Sequence, residues 1–335
     1  NTGTLTNYND LENQGTLTNY DTLNNTGTLD NDVYGTLTND GTLTNNYGTL
    51  TNDGTLDNTG TLDNDVYGTL DNNGILKNSY ALTNNGTLTN NDMLTNNDML
   101  SNNGTLTNND TLNNNDTLTN YIYGTLTNNG TLTNNHGTTL DNDGTLYNLG
   151  TLTNNNGSTL DNDGTLANDG TLDNDGPLTN NGMLDNNGIL KNSYVLTNNG
   201  TLNNNDALTN YYWGTLTNNG MLTNDGSLTN YNDLENQGTL TNYDTLTNNG
   251  SLNNYYGGTL INDGTLTNNY GSTLANDGTL NNLGTLTSTG TLNNSSSGII
   301  FVTGGTVDAT TIDNNGIFNF TGGTLSVDTF NGDLD

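Results

Sequence analysis

Leucine recurs on a fixed lattice through nearly the whole chain, and asparagine follows it two places later. From Leu5 to Leu292 there are 46 lattice leucines; of the 45 steps between them, 36 are six residues, eight are eight residues and one, Leu43 to Leu50, is seven. Asn stands two residues after the leucine in 45 of the 46 units, and Ser288 is the exception. A lattice this strict specifies one small unit stacked many times, so that each unit touches only its neighbours. It points to a scaffold and away from an enzyme.

The consensus unit is Gly-Thr-Leu-Thr-Asn-Asn. Alternation within Thr-Leu-Thr reads as a short strand with Leu on one face and Thr on the other, and β-branched Thr suits that role. Asn-Asn-Gly is turn chemistry, because Asn tolerates left-handed backbone angles and Gly adopts them freely. Gly stands two places before Leu in 32 units and Asp in seven. A strand this short is unstable alone and must stack. Parallel stacking predicts an all-β fold, a β-solenoid (β-helix) of six-residue units with Leu on Leu inside. The Asn two residues on shares the parity of Leu, so Asn7, Asn13, Asn19, Asn25, Asn31, Asn39 and their successors are expected to form an inward asparagine ladder. Three units per coil give the simplest triangular cross-section, roughly 15 coils and about 70 Å of rod at the β spacing. The eight-residue steps become outward loops at corners.

Composition narrows the partners. Hydrophobic residues make up 28% of the chain and the net charge is −33, values that ordinarily mark disorder. The fixed phase of the leucines argues against that alternative. Lys77 and Lys191 are the only basic side chains, so nothing neutralises phosphates, and nucleic acid and anionic membrane surfaces are poor partners. No stretch is long and apolar enough to insert in a bilayer. The chain has no Cys, so neither disulfides nor thiolate metal sites hold it. It opens at Asn1 without Met, which suggests a processed product or a fragment.

Longer duplications overlie the short repeat. Residues 5–23 recur identically at 228–246, residues 26–37 recur at 59–70, and residues 71–88 recur at 185–202 with Ala81 changed to Val195. After Ser295-Ser296-Ser297 the pattern becomes richer in Ile, Val and Phe. The expected organisation is therefore a hexapeptide-repeat β-solenoid over 1–298 and divergent terminal coils or a cap over 299–335.

Runs of G-T-L-T-N-N-G-T-L resemble the repeats of filamentous haemagglutinin-type and autotransporter passenger proteins of bacterial surfaces. The tail TGGTLSVDTFNGDL resembles the Gly-Gly-Thr-Leu segments of autotransporter-associated repeats. The resemblance implies an exported β-helix, right-handed, acting as an adhesin or surface fibre. The six-residue phasing departs from that family and is nearer the left-handed hexapeptide helices, which remain the alternative. Asp at the inward slot two before Leu argues against a faithful copy of those.

Chemistry is sparse in such a lattice. His136 is the only histidine and lies in a corner insertion; no nucleophile, base and orienting group come together, so no catalytic residue is assigned and no enzyme or cofactor is expected. Calcium is the one metal considered. The Asp-x-Asp pairs Asp30/Asp32, Asp63/Asp65, Asp141/Asp143, Asp161/Asp163 and Asp173/Asp175 offer hard oxygen ligands, against the plainer reading of a charged surface that keeps a fibre soluble. Thr-Leu-Thr, which occurs 16 times, has the geometry of ice-binding solenoids, but Asp replaces the second Thr in eight units and would charge that face. The insertions carry aromatics: Tyr121, Tyr123, Tyr211, Tyr212, Trp213, Tyr255 and Tyr256. These suit lateral packing or stacking on sugars, with a covering role for neighbouring corners as the plainer reading. The function expected is an extracellular, cell-surface structural protein that self-associates, end to end or laterally, into a filament, sheath or fibre. The alternative is the shaft of a surface adhesin that binds a polysaccharide or a cell.

Overall fold

Each predicted Thr-Leu-Thr strand forms in the computed structural model, which describes residues 1–334. The typical strand is four residues, such as Thr105–Asn108, with Leu and Asn buried and the residues flanking Leu half-buried or exposed. No helix occurs among the described residues. The chain divides into two compact units, residues 1–172 and 173–335, and the same coil builds both.

In the first unit every strand pairs in parallel with the third strand after it. Leu5 lies beside Leu23, Leu23 beside Leu43 and Leu43 beside Leu62. Three units therefore complete one coil, and all side chains stay in register. The second unit repeats the rule, with Leu178 beside Leu196 and Leu196 beside Leu216. From Leu23 to Leu292 the lattice leucines are 0–1% exposed. Burying one such side chain contributes roughly 1.5–3 kcal/mol, so the three leucines of each coil are a main favourable contribution to the stack in a chain of polar composition.

The second inward residue is the expected asparagine. In the first unit Asn13, Asn31, Asn52, Asn72, Asn90, Asn108, Asn128, Asn148 and Asn168 form one unbroken column, each Nδ2 donating to the next Oδ1 at 2.7–2.8 Å. Two further columns run through Asn7 and Asn25, and through Asn19 and Asn39. The other hydrogen of each amide closes the corner. Asn108 Nδ2 also donates to the backbone carbonyl of Thr131 at 2.9 Å, one coil on. Every amide is thus donor and acceptor, which removes the ~1–3 kcal/mol penalty of an unsatisfied buried polar group.

A second, outer ladder runs the opposite way. The exposed Asn that follows the buried one donates toward lower residue numbers: Asn129 to Asn109, Asn109 to Asn91, Asn91 to Asn73 and Asn73 to the carboxylate of Asp53. Corner glycines answer a packing need. A Cβ on Gly60 would lie 2.1 Å from the Gly41 carbonyl oxygen of the coil before.

Insertions form turns of two kinds. In Asp32–Gly35 and Asp65–Gly68 the final Gly N donates to the first carbonyl at 2.6 and 2.7 Å. In Asn135–Thr138 and Asn155–Ser158 the glycine moves one place earlier, to φ of +80° and +76°. The last residue is then Thr138 or Ser158, whose hydroxyl donates to the buried Asn134 or Asn154 Oδ1 at 2.7 and 2.8 Å. The identical segments 26–37 and 59–70 build the same turn on different corners. The strand Thr28–Asn31 belongs to the column of Leu11 and Leu50, whereas Thr61–Asn64 belongs to that of Leu43 and Leu82.

The change of pattern near residue 298 falls within the second unit. There the short strands merge into Thr285–Asn294, Ile299–Asn314 and Ile317–Asn331. Val302 takes the place above Asn282, and Ala309 the place above Ser288. An apolar interior thus replaces two of the three amide columns.

Candidate binding surfaces

The Asp-x-Asp pairs straddle a buried asparagine, so both carboxylates of a pair lie on the outside. Asp30, Asp32, Asp63, Asp65, Asp141, Asp143, Asp161, Asp173 and Asp175 are half-buried, and Asp163 is exposed. Asp32 and Asp65 are engaged in their turns, accepting from the Val33 and Val66 amides at 2.8 and 2.7 Å. Asp141 and Asp161 stand side by side in adjacent strands. Burial, followed by the charges of Asp143, Asp161 and Asp163, pushes the Asp141 carboxyl above the usual carboxylate range. Burial likewise raises Asp63, with Asp65 adding to the shift and a hydrogen bond from Thr83 opposing it. Salt screens repulsion of this kind, whereas a bound cation needs converging ligands. Among the described residues no group of three or more His, Cys, Asp or Glu is placed to hold a metal ion.

Both lysines sit above an Asp of the preceding coil. Lys77 Nζ lies 4.0 Å from Asp57, and Lys191 Nζ lies 3.8 Å from Asp173. The repeat of residues 71–88 at 185–202 therefore repeats this pairing as well. His136 is exposed in its turn, with the ring against the Asn156 carbonyl. Among the described residues no helix is long and apolar enough to cross a membrane.

The aromatic insertions lie on turns between strands. Tyr121 and Tyr123 are exposed on the turn Tyr121–Gly124. Tyr47, the single residue added in the seven-residue step, holds φ of +61° and stacks on Tyr67 of the next coil, with ring centroids 4.9 Å apart.

The structure also gathers aromatics that lie far apart in sequence. In the second unit Thr215–Asn218, Asp233–Asn236 and Ser251–Asn254 are successive strands of one face. One corner of that face carries Tyr211, Tyr212 and Trp213, joined from the next coil by Tyr231, whose ring lies 5.1 Å from Tyr212 and 6.4 Å from Tyr211. The opposite corner carries Tyr255 and Tyr256. Between them the floor presents Asp233 and Glu235. Glu235 accepts from Thr217 Oγ1 and from Tyr255 Oη, both at 3.4 Å. Burial, then the charge of Glu235 and that bond to it, raises the Tyr255 hydroxyl above its ordinary value, with Asp233 and Asp277 adding to it. Trp213 is 87% exposed, Tyr212 68% and Tyr256 82%. Tyr231, Asp233 and Glu235 are not distinguished by the repeat pattern itself. The signal was available in coil arithmetic, which sets Tyr231 one coil above Tyr211.

Set against family models, curated proteins and solved structures, the chain matches none of them.

Proposed function

We propose that this chain is an exported structural solenoid that self-associates into an extracellular surface filament or sheath. The observation that supports the reading is the set of continuous buried amide columns. A side-chain ladder running parallel to the backbone ladders ties each coil to the next by two independent sets of directional bonds. That arrangement resists bending and local opening, which are what a protease needs. Corner aromatics with polar tips offer lateral contact area, and stacking of one solenoid end on another would continue the strand ladders axially. Negative-stain electron microscopy of the purified chain tests the reading: periodic filaments are expected, and monodisperse short particles at all concentrations and salts would overturn it.

A second reading, the shaft of a surface adhesin, is favoured by the exposed aromatic corners and by the likeness of the repeats to passenger proteins. Specific retention on a glycan array, abolished by Ala at Tyr212 and Trp213, would select it over the filament.

A further inference from the structure

We propose that the aromatic-rimmed face of the second unit binds a basic peptide segment carrying Arg or Lys side chains. Three observations converge on that ligand. The floor carries two carboxylates, Asp233 and Glu235, on one strand. Its rims carry exposed rings on both sides, Tyr212 and Trp213 on one and Tyr256 on the other. The chain has only two basic residues of its own, Lys77 and Lys191, and each sits beside an Asp elsewhere. A cationic group on this face would therefore come from outside these 335 residues.

The dimensions suit an extended chain. Each strand of the face is four residues, about 13 Å across, and successive strands are about 4.8 Å apart. A cationic side chain lying over Trp213 or Tyr212 would meet the negative face of the ring, with Asp233 and Glu235 on the strand paired to the one that follows that turn. Arg suits the site best, because its planar guanidinium stacks on a ring and pairs with a carboxylate together. An anionic glycan or a phosphate meets the wrong sign of charge. The proposal is independent of filament assembly.

The competing explanation is diffuse attraction of any cation to a chain of net charge −33. An internal control separates the two. Residues 5–23 are identical to 228–246, so Asp10 and Glu12 repeat Asp233 and Glu235. Around that copy Asp30, Asp32 and Asp53 add carboxylates to Glu12 in one groove, while no tryptophan is present.

Trp213 is the only tryptophan in the chain, so its emission reports on the site. The full chain is titrated at about 0.15 M salt, where charges farther apart than ~8 Å are screened, with a short peptide alternating Arg and Gly. A chitosan oligomer and a Glu-Gly peptide are run in parallel. Saturable change in Trp213 emission with the Arg peptide is expected. By calorimetry Trp213→Ala, or Asp233→Asn with Glu235→Gln, should weaken binding roughly fivefold or more. Trp213→Phe should restore part of the loss, and Asp10→Asn with Glu12→Gln should leave affinity unchanged. Equal loss from the Asp10 and Glu12 changes, or no loss from the Trp213 and Glu235 changes, overturns the proposal in favour of diffuse attraction. Tighter binding of the chitosan oligomer overturns the peptide assignment.

Discussion

The coils up to Asn294 and the coils from Ile299 onward close the same triangle around different interiors. In the former, each coil holds three leucines and three asparagines, save that Ser288 takes one asparagine's place in the last. In the latter, Ile300, Val302, Val307, Ala309, Ile312 and Phe318 are buried, and among the described residues Asn314 alone continues an amide column. An amide column requires the same residue at every level, because each Asn is acceptor for the coil below and donor for the coil above. An apolar column makes no such demand, and residue type varies as soon as the amides stop. Their ends are closed individually. Asn282 Nδ2 turns to the Gly284 and Thr306 carbonyls, Asn268 meets the Ser288 hydroxyl, and Asn314 donates to the Asp333 carbonyl. The transition therefore leaves each terminal amide with an acceptor.

That contrast predicts where damage is greatest. Asn108→Leu keeps the branched outline of the side chain but removes the acceptor for Asn90 and the donor to Asn128 and Thr131. A loss of about 3 kcal/mol is expected in urea unfolding, from two or more orphaned buried groups. Thr107→Ala, one residue away and pointing outward, should stay within about 0.5 kcal/mol. Equal effects would mean that the columns are ornamental. Next in size is Val302→Asn. The new amide would sit above Asn282 but beneath Phe320, so its own Nδ2 lacks an amide to meet, and a cost of about 2 kcal/mol is expected. Stabilisation instead would show that amide columns propagate into the apolar coils. Ser288→Asn is a smaller change, because Asn268 keeps a partner while Ala309 above cannot accept. It should cost about 1 kcal/mol.

The smallest expected effect is electrostatic. Because the Asp141 carboxyl titrates above its ordinary value in the fold, between the ordinary and the raised value the folded state holds a proton that the unfolded state has released. Stability from this group therefore falls as pH rises through that interval. Asp141→Asn should raise the Tm at neutral pH and low salt, and the gain should disappear below the ordinary carboxylate range. A gain that persists in acid would assign the effect to packing rather than to the charges of Asp143, Asp161 and Asp163.

Much of this architecture is legible in the sequence because both inward positions are invariant by chemistry. Leu and Asn at the same parity point both inward, and three six-residue units make the simplest closed coil, while the hand of the coil is not written in that pattern. Less legible are features set by neighbours a coil away. The outer Asn ladder depends on which exposed residue lies 18 to 20 positions earlier. The turn class depends on whether glycine stands last, as at Gly35, or one place earlier, as at Gly137. Tyr211 and Tyr256 could be marked as aromatic insertions, but that they flank one strip bearing Asp233 and Glu235 emerges only when coil lengths are added along the chain.

The identical segments 26–37 and 59–70 occupy different corners of the first unit without changing conformation, so the unit carries no address for the side on which it will lie. Direction is kept by counting. Adding one hexapeptide upstream would swing every later group in that unit through a third of a turn, whereas adding three would lift it by one coil and leave its bearing unchanged. Recombination among such repeats thus works as a dial, re-aiming surface groups in discrete clicks while the interior stays as it was.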